Sequence, residues 1–314
     1  MGMTQPSPKS LPEFQRYFSD EAACIEYLAA LRWPEGFVCA ACGGTACYSY
    51  PTRKALVCKA CRCHVRLTAG TIMHRSKLPL STWFYAAFLA STLTPGISAV
   101  QFQRQLGLNR YETAFQLLHK IRAAMVVPER EPLKGTVELD ETLIGGVHHG
   151  GKRGRSTETK TMVAGAVEVR SGRKRPVVAG RIRLRAVADG SAESLDDFVQ
   201  AHIASGTAVM TDEHQGYRNL SKLGYDHHPE VAAELPLIHR EFANLKTWLR
   251  GTHHDRVERK HLQSYLNEFA FRHNRRFWPF SAFQRVLAIG INTAQLTYRR
   301  LYDADEFGRS AHAP

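Results

Sequence analysis

Gly135-Thr-Val-Glu-Leu-Asp140-Glu-Thr-Leu-Ile-Gly-Gly146 and Ala208-Val-Met-Thr-Asp212-Glu-His-Gln-Gly-Tyr217 are the two stretches that decide how this chain is read. Each is a short β-branched and aliphatic run that leads into a carboxylate and then a glycine turn. Runs of that kind place acid groups at one edge of an α/β sheet. Two carboxylates converging there can hold divalent metal ions. Such ions activate water or a 3′-hydroxyl for attack on a phosphodiester, one on the nucleophile and one on the leaving oxygen.

Outward from these runs the pattern alternates strand and helix. It predicts strands over 136–141, 161–169 and 176–187, a helix over 194–203 and a strand over 207–211. Three strands, a helix and a strand bearing the second aspartate is the order of an RNase H-like sheet. Between the first two strands, His148 to Lys160 is glycine-rich and basic. Lys152, Arg153 and Arg155 read there either as a solvated hairpin loop or as an arm on DNA phosphates, which position a duplex without reading its sequence.

A third site residue should follow Asp212. Pro236 can open a helix at its first turn, and Ile238, Phe242, Leu245 and Leu249 recur at the spacing of one buried seam. At about 100° per residue, His239 and Lys246 share one flank of that seam. Glu241 falls on the opposite flank. If Lys246 reaches the site, His239 is its better-placed partner. A satisfied structural histidine is the bland alternative, and Glu230, Glu234 and Glu241 stand as alternative carboxylates.

The N-terminal half carries different chemistry. Cys39-x2-Cys42 and Cys58-x2-Cys61 are separated by fifteen residues, the spacing of a zinc ribbon. Two such knuckles close a tetrahedral site with no open position, so the zinc is structural and stabilises a module too small for its own core. Gly43 and Gly44 supply the tight turn. Cys47 and Cys63 lie close enough to compete as ligands, while Cys24, among helix formers, reads as a buried apolar residue.

From the ribbon to the first aspartate the chain reads as helical. Leu80 to Leu93 is an apolar helix broken by Thr94-Pro95-Gly96. Two short helices then follow, joined across Gly107-Leu-Asn109, with the outline of a helix-turn-helix. In that motif Asn109, Arg110, Tyr111, Thr113 and Gln116 would lie nearest the major groove. An ordinary helical hairpin fits the same pattern. Glu129 to Lys134 reads as a linker.

Composition bounds the partner. At 314 residues, a net charge of +13 and a pI near 9.6, the chain favours a polyanion. The N-terminus lacks the apolar core of a secretory signal. The longest apolar stretch, Trp83 to Leu93, is too short to span a bilayer. A soluble, cytoplasmic protein with no membrane partner is expected. The expected divisions are a helical segment over 1–36, the zinc ribbon over 37–70 and a helical DNA-binding module over 71–134. An RNase H-like catalytic domain over 135–300 and a tail over 301–314 complete the chain.

Taken together, several blocks resemble DDE-type insertion-sequence transposases that join an N-terminal zinc ribbon to an RNase H-like catalytic domain. The blocks are Cys58-Lys-Ala-Cys61 running into Thr68 to Leu80, Val137 to Gly146, and Thr211 to Tyr217. Asn244 to His254 and Lys260 to Arg276 complete them. The likeness extends from about residue 20 to 300. It implies that Asp140 and Asp212 are the first two members of the triad. Lys246 is then the lysine seven residues beyond the third, which places His239 where many members have glutamate. An imidazole suits Mn²⁺, whereas Mg²⁺ strongly prefers oxygen.

The resemblance further implies two divalent ions, magnesium or manganese. Asp140 would bridge them, and Asp212 and His239 would each complete one shell. Double-stranded DNA is the implied partner, as terminal repeats and as target, with a homo-oligomer bringing two ends together. The ribbon and helix-turn-helix would recognise the repeats, and Arg275 and Arg276, near Phe271, Phe277 and Trp278, would contact backbone. Those residues equally suit a basic helix end with its aromatics in the core. Two rival classes remain, a catalytically silent DNA-binding regulator and a junction-cutting resolvase.

Overall fold

The computed structural model describes residues 8–50, 55–127, 130–145, 160–172, 176–229, 235–254 and 257–302. They fall into two compact units: residues 8–127 with 275–301, and residues 130–274 with Tyr302. No helix among the described residues is long and apolar enough to cross a membrane.

The first unit opens with helices α1 (Leu11–Tyr17) and α2 (Glu21–Arg32). Ser10 and Asp20 cap them by accepting the Glu13 and Ala23 N–H groups. Next comes a three-stranded antiparallel sheet of β1 (Cys47–Tyr50), β2 (Ala55–Cys58) and β3 (His64–Arg66). Helices α3 (Leu80–Thr92), α4 (Ala99–Gln105) and α5 (Tyr111–Ala123) follow, within a residue or two of the sequence expectation. Cys24 is buried in α2 as expected, and burial pushes its thiol up to about 12.

An aromatic cluster centred on Phe14, Phe84 and Phe88 holds this unit together, with Phe14 stacked on Phe88 at 4.5 Å. Phe283, from the far end of the chain, packs edge-on against all three. It sits on α9 (Pro279–Gly290), whose buried seam of Ala282, Phe283, Val286 and Leu287 runs against α3. Residues 275–301 thus belong to the first compact unit rather than the second. Helical periodicity reports that α9 has a buried face, but not which core receives it.

The second unit is a five-stranded sheet in the order β6-β5-β4-β7-β8. Its strands are β4 (Thr136–Ile144), β5 (Thr161–Ser171), β6 (Val177–Val187), β7 (Ala208–Thr211) and β8 (Asp226–Pro229). The first three pair antiparallel, while β7 joins β4, and β8 joins β7, in parallel. This is the RNase H-like arrangement predicted above, with one strand more. Asp226-His-His-Pro229 carries no apolar alternation, which is why β8 was not foreseen.

Alternation along the strands gives the sheet two buried faces. Val137, Leu139, Ala164 and Ala166 pack against Phe198 and Val199 of α6 (Ala192–His202). Ile144, Val163, Val167, Ile182 and Leu184 face α7 (Pro236–His253) and α8 (Arg259–His273). The predicted seam of α7, Ile238, Phe242, Leu245 and Leu249, is the part buried there. The expected linker joins this body early: Leu133 bridges Ile203, and the Lys134 N–H donates to Glu168.

Candidate active site and metal centre

Asp140 lies on the central strand, on the face that meets α7. The β4–β7 register pairs Glu138 with Met210, and continuing both parallel strands by two residues sets Asp212 level with Asp140. Asp212 falls one residue past the end of β7, where the chain turns. Its Oδ1 accepts the His214 N–H at 3.0 Å.

His239, in the first turn of α7, places Nε2 3.0 Å from Asp140 Oδ2. The other Asp140 oxygen accepts the Glu141 N–H at 2.8 Å. Burial pushes the Asp140 carboxyl up to about 6, and the Glu141 and Asp212 charges add to this. The Glu141 N–H and the His239 ring act the other way. A carboxylate held in so unfavourable an anionic state is one that a cation stabilises strongly.

Two carboxylates and an imidazole are a donor set for a divalent ion. Ligands of one ion with bonds of about 2.1 Å lie within about 4.2 Å of one another. The three donor atoms here do not all fall within 4.8 Å, a condition met among the described residues by a cysteine group alone.

Lys246 is exposed two turns along α7, on the flank of His239. Glu241 is turned away from the aspartates. It is buried, with Oε2 3.1 Å from His273 Nδ1, and it accepts from Asn244 at 3.2 Å. The other His273 nitrogen meets the Gly180 carbonyl at 3.1 Å. Glu241 thus serves a structural pair, and Glu230 and Glu234 lie outside the described residues.

The zinc ribbon has its own geometry. The sulfurs of Cys39, Cys42, Cys58 and Cys61 all lie within 4.8 Å of one another. Cys39–Cys61 and Cys42–Cys58 are both 3.6 Å, close to the edge of about 3.8 Å expected of a tetrahedron with Zn–S bonds near 2.3 Å. The knuckles match in backbone. Gly43 N–H donates to the Cys39 carbonyl and Arg62 N–H to that of Cys58, and both turn residues adopt positive φ, +72° and +60°. N–H groups of Ala41 and Cys42 aimed at Cys39 hold its thiol down to about 7 despite burial, as metal binding by thiolate requires. Four thiolates thus fit a closed structural zinc site. Cys47 and Cys63 flank it outside that set.

Residues 19–66 match the transposase zinc-ribbon domain, and residues 132–274 match the ISXO2-like transposase domain. The two segments occur in this order and together span more than half of the chain. The chain belongs to the DDE-type insertion-sequence transposases with an N-terminal zinc ribbon. No curated protein matches it. The matched transposase segment ends at Asn274, as does the main stretch of the second compact unit.

In this transposase the expected DNA-contacting residues have separate fates. Asn109, Arg110 and Tyr111 are exposed where α5 begins, and Thr113 and Gln116 are half-buried beside them. Ala114, Leu117, Leu118 and Ile121 form the opposite, buried face of that helix. Lys152, Arg153 and Arg155 lie outside the described residues. The aromatics near Arg275 and Arg276 divide: Phe271 is in the core, while Phe277 and Trp278 are 70% and 67% exposed. Arg276 places its guanidinium 4.5 Å from the Phe277 ring centre, and burial pushes Arg275 down to about 10, with the Arg285 charge adding to this.

Three residues around the site escaped the sequence reading. Tyr217 is buried, and its hydroxyl donates to Glu141 Oε2. Burial and the Glu141 charge push that hydroxyl well above its usual range, so it remains a donor. Glu138, 3% exposed, accepts the N–H groups of Leu237 and Ile238 at 2.8 Å each. Strand alternation held the signal for Glu138, because it shares a face with Asp140. No sequence spacing ties Tyr217 to Glu141.

Proposed function

We infer that this transposase cleaves DNA at the ends of its element and joins the freed 3′-hydroxyl to target DNA. Asp140, Asp212 and His239 act as the metal-holding triad. The observation that carries this reading is the 3.0 Å approach of His239 to Asp140, level with Asp212. Asp140 would be shared by two ions, with Asp212 on one and His239 on the other. Bound there, divalent ions would neutralise charge on the phosphate and acidify the attacking hydroxyl. Water attacks first at the element end, and the 3′-hydroxyl attacks the target next.

The protein's own part is positioning. β4 and β7 fix the two carboxylates, α7 fixes the imidazole, and Lys246 holds a phosphate or base near the cut. No covalent enzyme intermediate is required, because alignment and charge neutralisation lower the barrier. The imidazole favours manganese over magnesium at one position. Zinc holds the ribbon, which with α4 and α5 recognises the terminal repeats. Arg275, Arg276 and the basic segment with Lys152, Arg153 and Arg155 contact backbone phosphates. Two ends must be synapsed, which calls for a homo-oligomer, and the setting is the cytoplasm.

One feature favours a second reading. The resemblance places His239 where many members of the group have glutamate, so a silent DNA-binding regulator is the alternative. Incubating purified protein with element ends, Mn²⁺ or Mg²⁺ separates the two. Nicking at the end that disappears in Asp140→Ala supports the transposase; specific binding without nicking supports the regulator.

A further inference from the structure

Helix α7 starts without a cap of its own: Leu235 offers no side-chain hydrogen bond, and Pro236 has no N–H to give. The next two N–H groups, of Leu237 and Ile238, are buried and both point at one oxygen of Glu138, at 2.8 Å each. Glu138 sits on β4, 99 residues earlier. A carboxylate from the sheet therefore does what an N-cap side chain does locally, and its negative charge suits the helix N-terminus.

Two neighbours give that bond a functional address. Glu138 and Asp140 are two apart on one strand, so their side chains leave the same face. Ile238 and His239 are consecutive in the first turn. The pair of bonds to Glu138 thus fixes the helix one residue before the imidazole that meets Asp140. One turn later, Phe242 packs over Gly165, which is paired with Asp140 across β4–β5. A Cβ on Gly165 would come within 2.6 Å of the Phe242 ring. Helix α7 is seated on both sides of Asp140, by a carboxylate ahead and a bare glycine beside it.

We propose that Glu138 is a positioning residue that sets the register of helix α7 so that His239 and Asp140 present their donor atoms to the same cation. This role rests on His239 being a metal-holding residue. The Glu138 oxygen that accepts both N–H groups is committed to the helix.

The test uses the full-length protein and Mn²⁺ alone, with binding read by the electron paramagnetic resonance of free Mn²⁺ and helix seating by amide hydrogen exchange at Leu237 and Ile238. Glu138→Asp keeps the charge but falls one methylene short of the helix. It should lose at least tenfold of the exchange protection and about tenfold of the Mn²⁺ affinity, as removal of an orienting partner does. Glu138→Gln keeps an acceptor oxygen and should stay within about threefold of wild type, again by the orienting role of such partners. His239→Ala should cost about as much affinity as Glu138→Asp, and the double variant little more than either. Glu138→Asp with lost protection but wild-type Mn²⁺ affinity, while His239→Ala weakens binding, would overturn the proposal and leave the triad standing. Unchanged affinity in His239→Ala would overturn the triad assignment, and this role with it.

Discussion

Asp140 and His239 meet at 3.0 Å although they lie on a central strand and a helix 99 residues apart in sequence. Neither partner is fully buried, and the aspartate is the more enclosed of the two. Burial raises the proton affinity of the carboxylate, and the charges of Glu141 and Asp212 add to this.

That setting costs stability. A carboxyl whose folded pKa is about 6, against roughly 3.9 unfolded, contributes most below pH 4, and stability falls as pH rises through 6. Asp140→Asn removes the penalty. The metal-free variant should unfold later at pH 7.5, by up to about 2 kcal/mol, and should lose at least about a hundredfold in end cleavage. Urea unfolding and a nicking assay on the same preparation check both halves.

Glu241 and His239 are two residues apart on α7 and should respond oppositely. Glu241→Gln disturbs a buried contact with His273 and should destabilise by about 1–2 kcal/mol while leaving Mn²⁺ affinity within twofold or so. His239→Ala should leave thermal stability near wild type and weaken Mn²⁺ binding. Calorimetric unfolding and Mn²⁺ titration would reject the assignment if the pattern were reversed.

How much of this was legible in the residues differs by element. The knuckle spacing of Cys39, Cys42, Cys58 and Cys61 is a local signal that local geometry obeyed. Asp212 falls just past β7 as its run suggests, whereas Asp140 sits within β4, because pairing with β5 carries that strand on to Ile144. The α7 seam placed His239 and Lys246 on one flank from periodicity alone. What stayed hidden is long-range: Glu138 reaching α7, Tyr217 reaching Glu141, and α9 returning to the first unit through Phe283. Polar β8 was hidden for another reason, because a strand that pairs at a sheet edge needs no apolar alternation.

The ribbon should lose its metal one cysteine at a time, and selectively. Cys58→Ser should drop zinc content towards zero and weaken end binding at least tenfold, since ribbon folding and zinc binding are one event. Cys47→Ser and Cys63→Ser should retain a full equivalent of zinc, because their sulfurs lie outside the four-thiolate group. Native mass spectrometry distinguishes these outcomes.

Acid should unfold the second unit through Glu168. Burial alone would raise this carboxyl, but the hydrogen bonds from Arg181 and Arg170 outweigh it and hold it down at about 2. Its contribution is therefore present above roughly pH 4.3 and lost as pH falls towards 2. Allowing for the exposed Arg170, this amounts to about 2 kcal/mol. Glu168→Gln should flatten the acid limb of stability between pH 4 and 2; an unchanged limb in circular-dichroism melts would count against the Arg181 pairing.

The most direct measurement is strand transfer from a pre-cut element end into plasmid DNA. Purified wild type, Asp140→Ala, Asp212→Ala and His239→Ala would be compared in Mn²⁺ and in Mg²⁺. Joined product is expected in wild type, more with Mn²⁺, none with either aspartate variant, and a sharp loss with His239→Ala. Joining that persists without Asp140 or Asp212, or end binding with no joining in either metal, would contradict it.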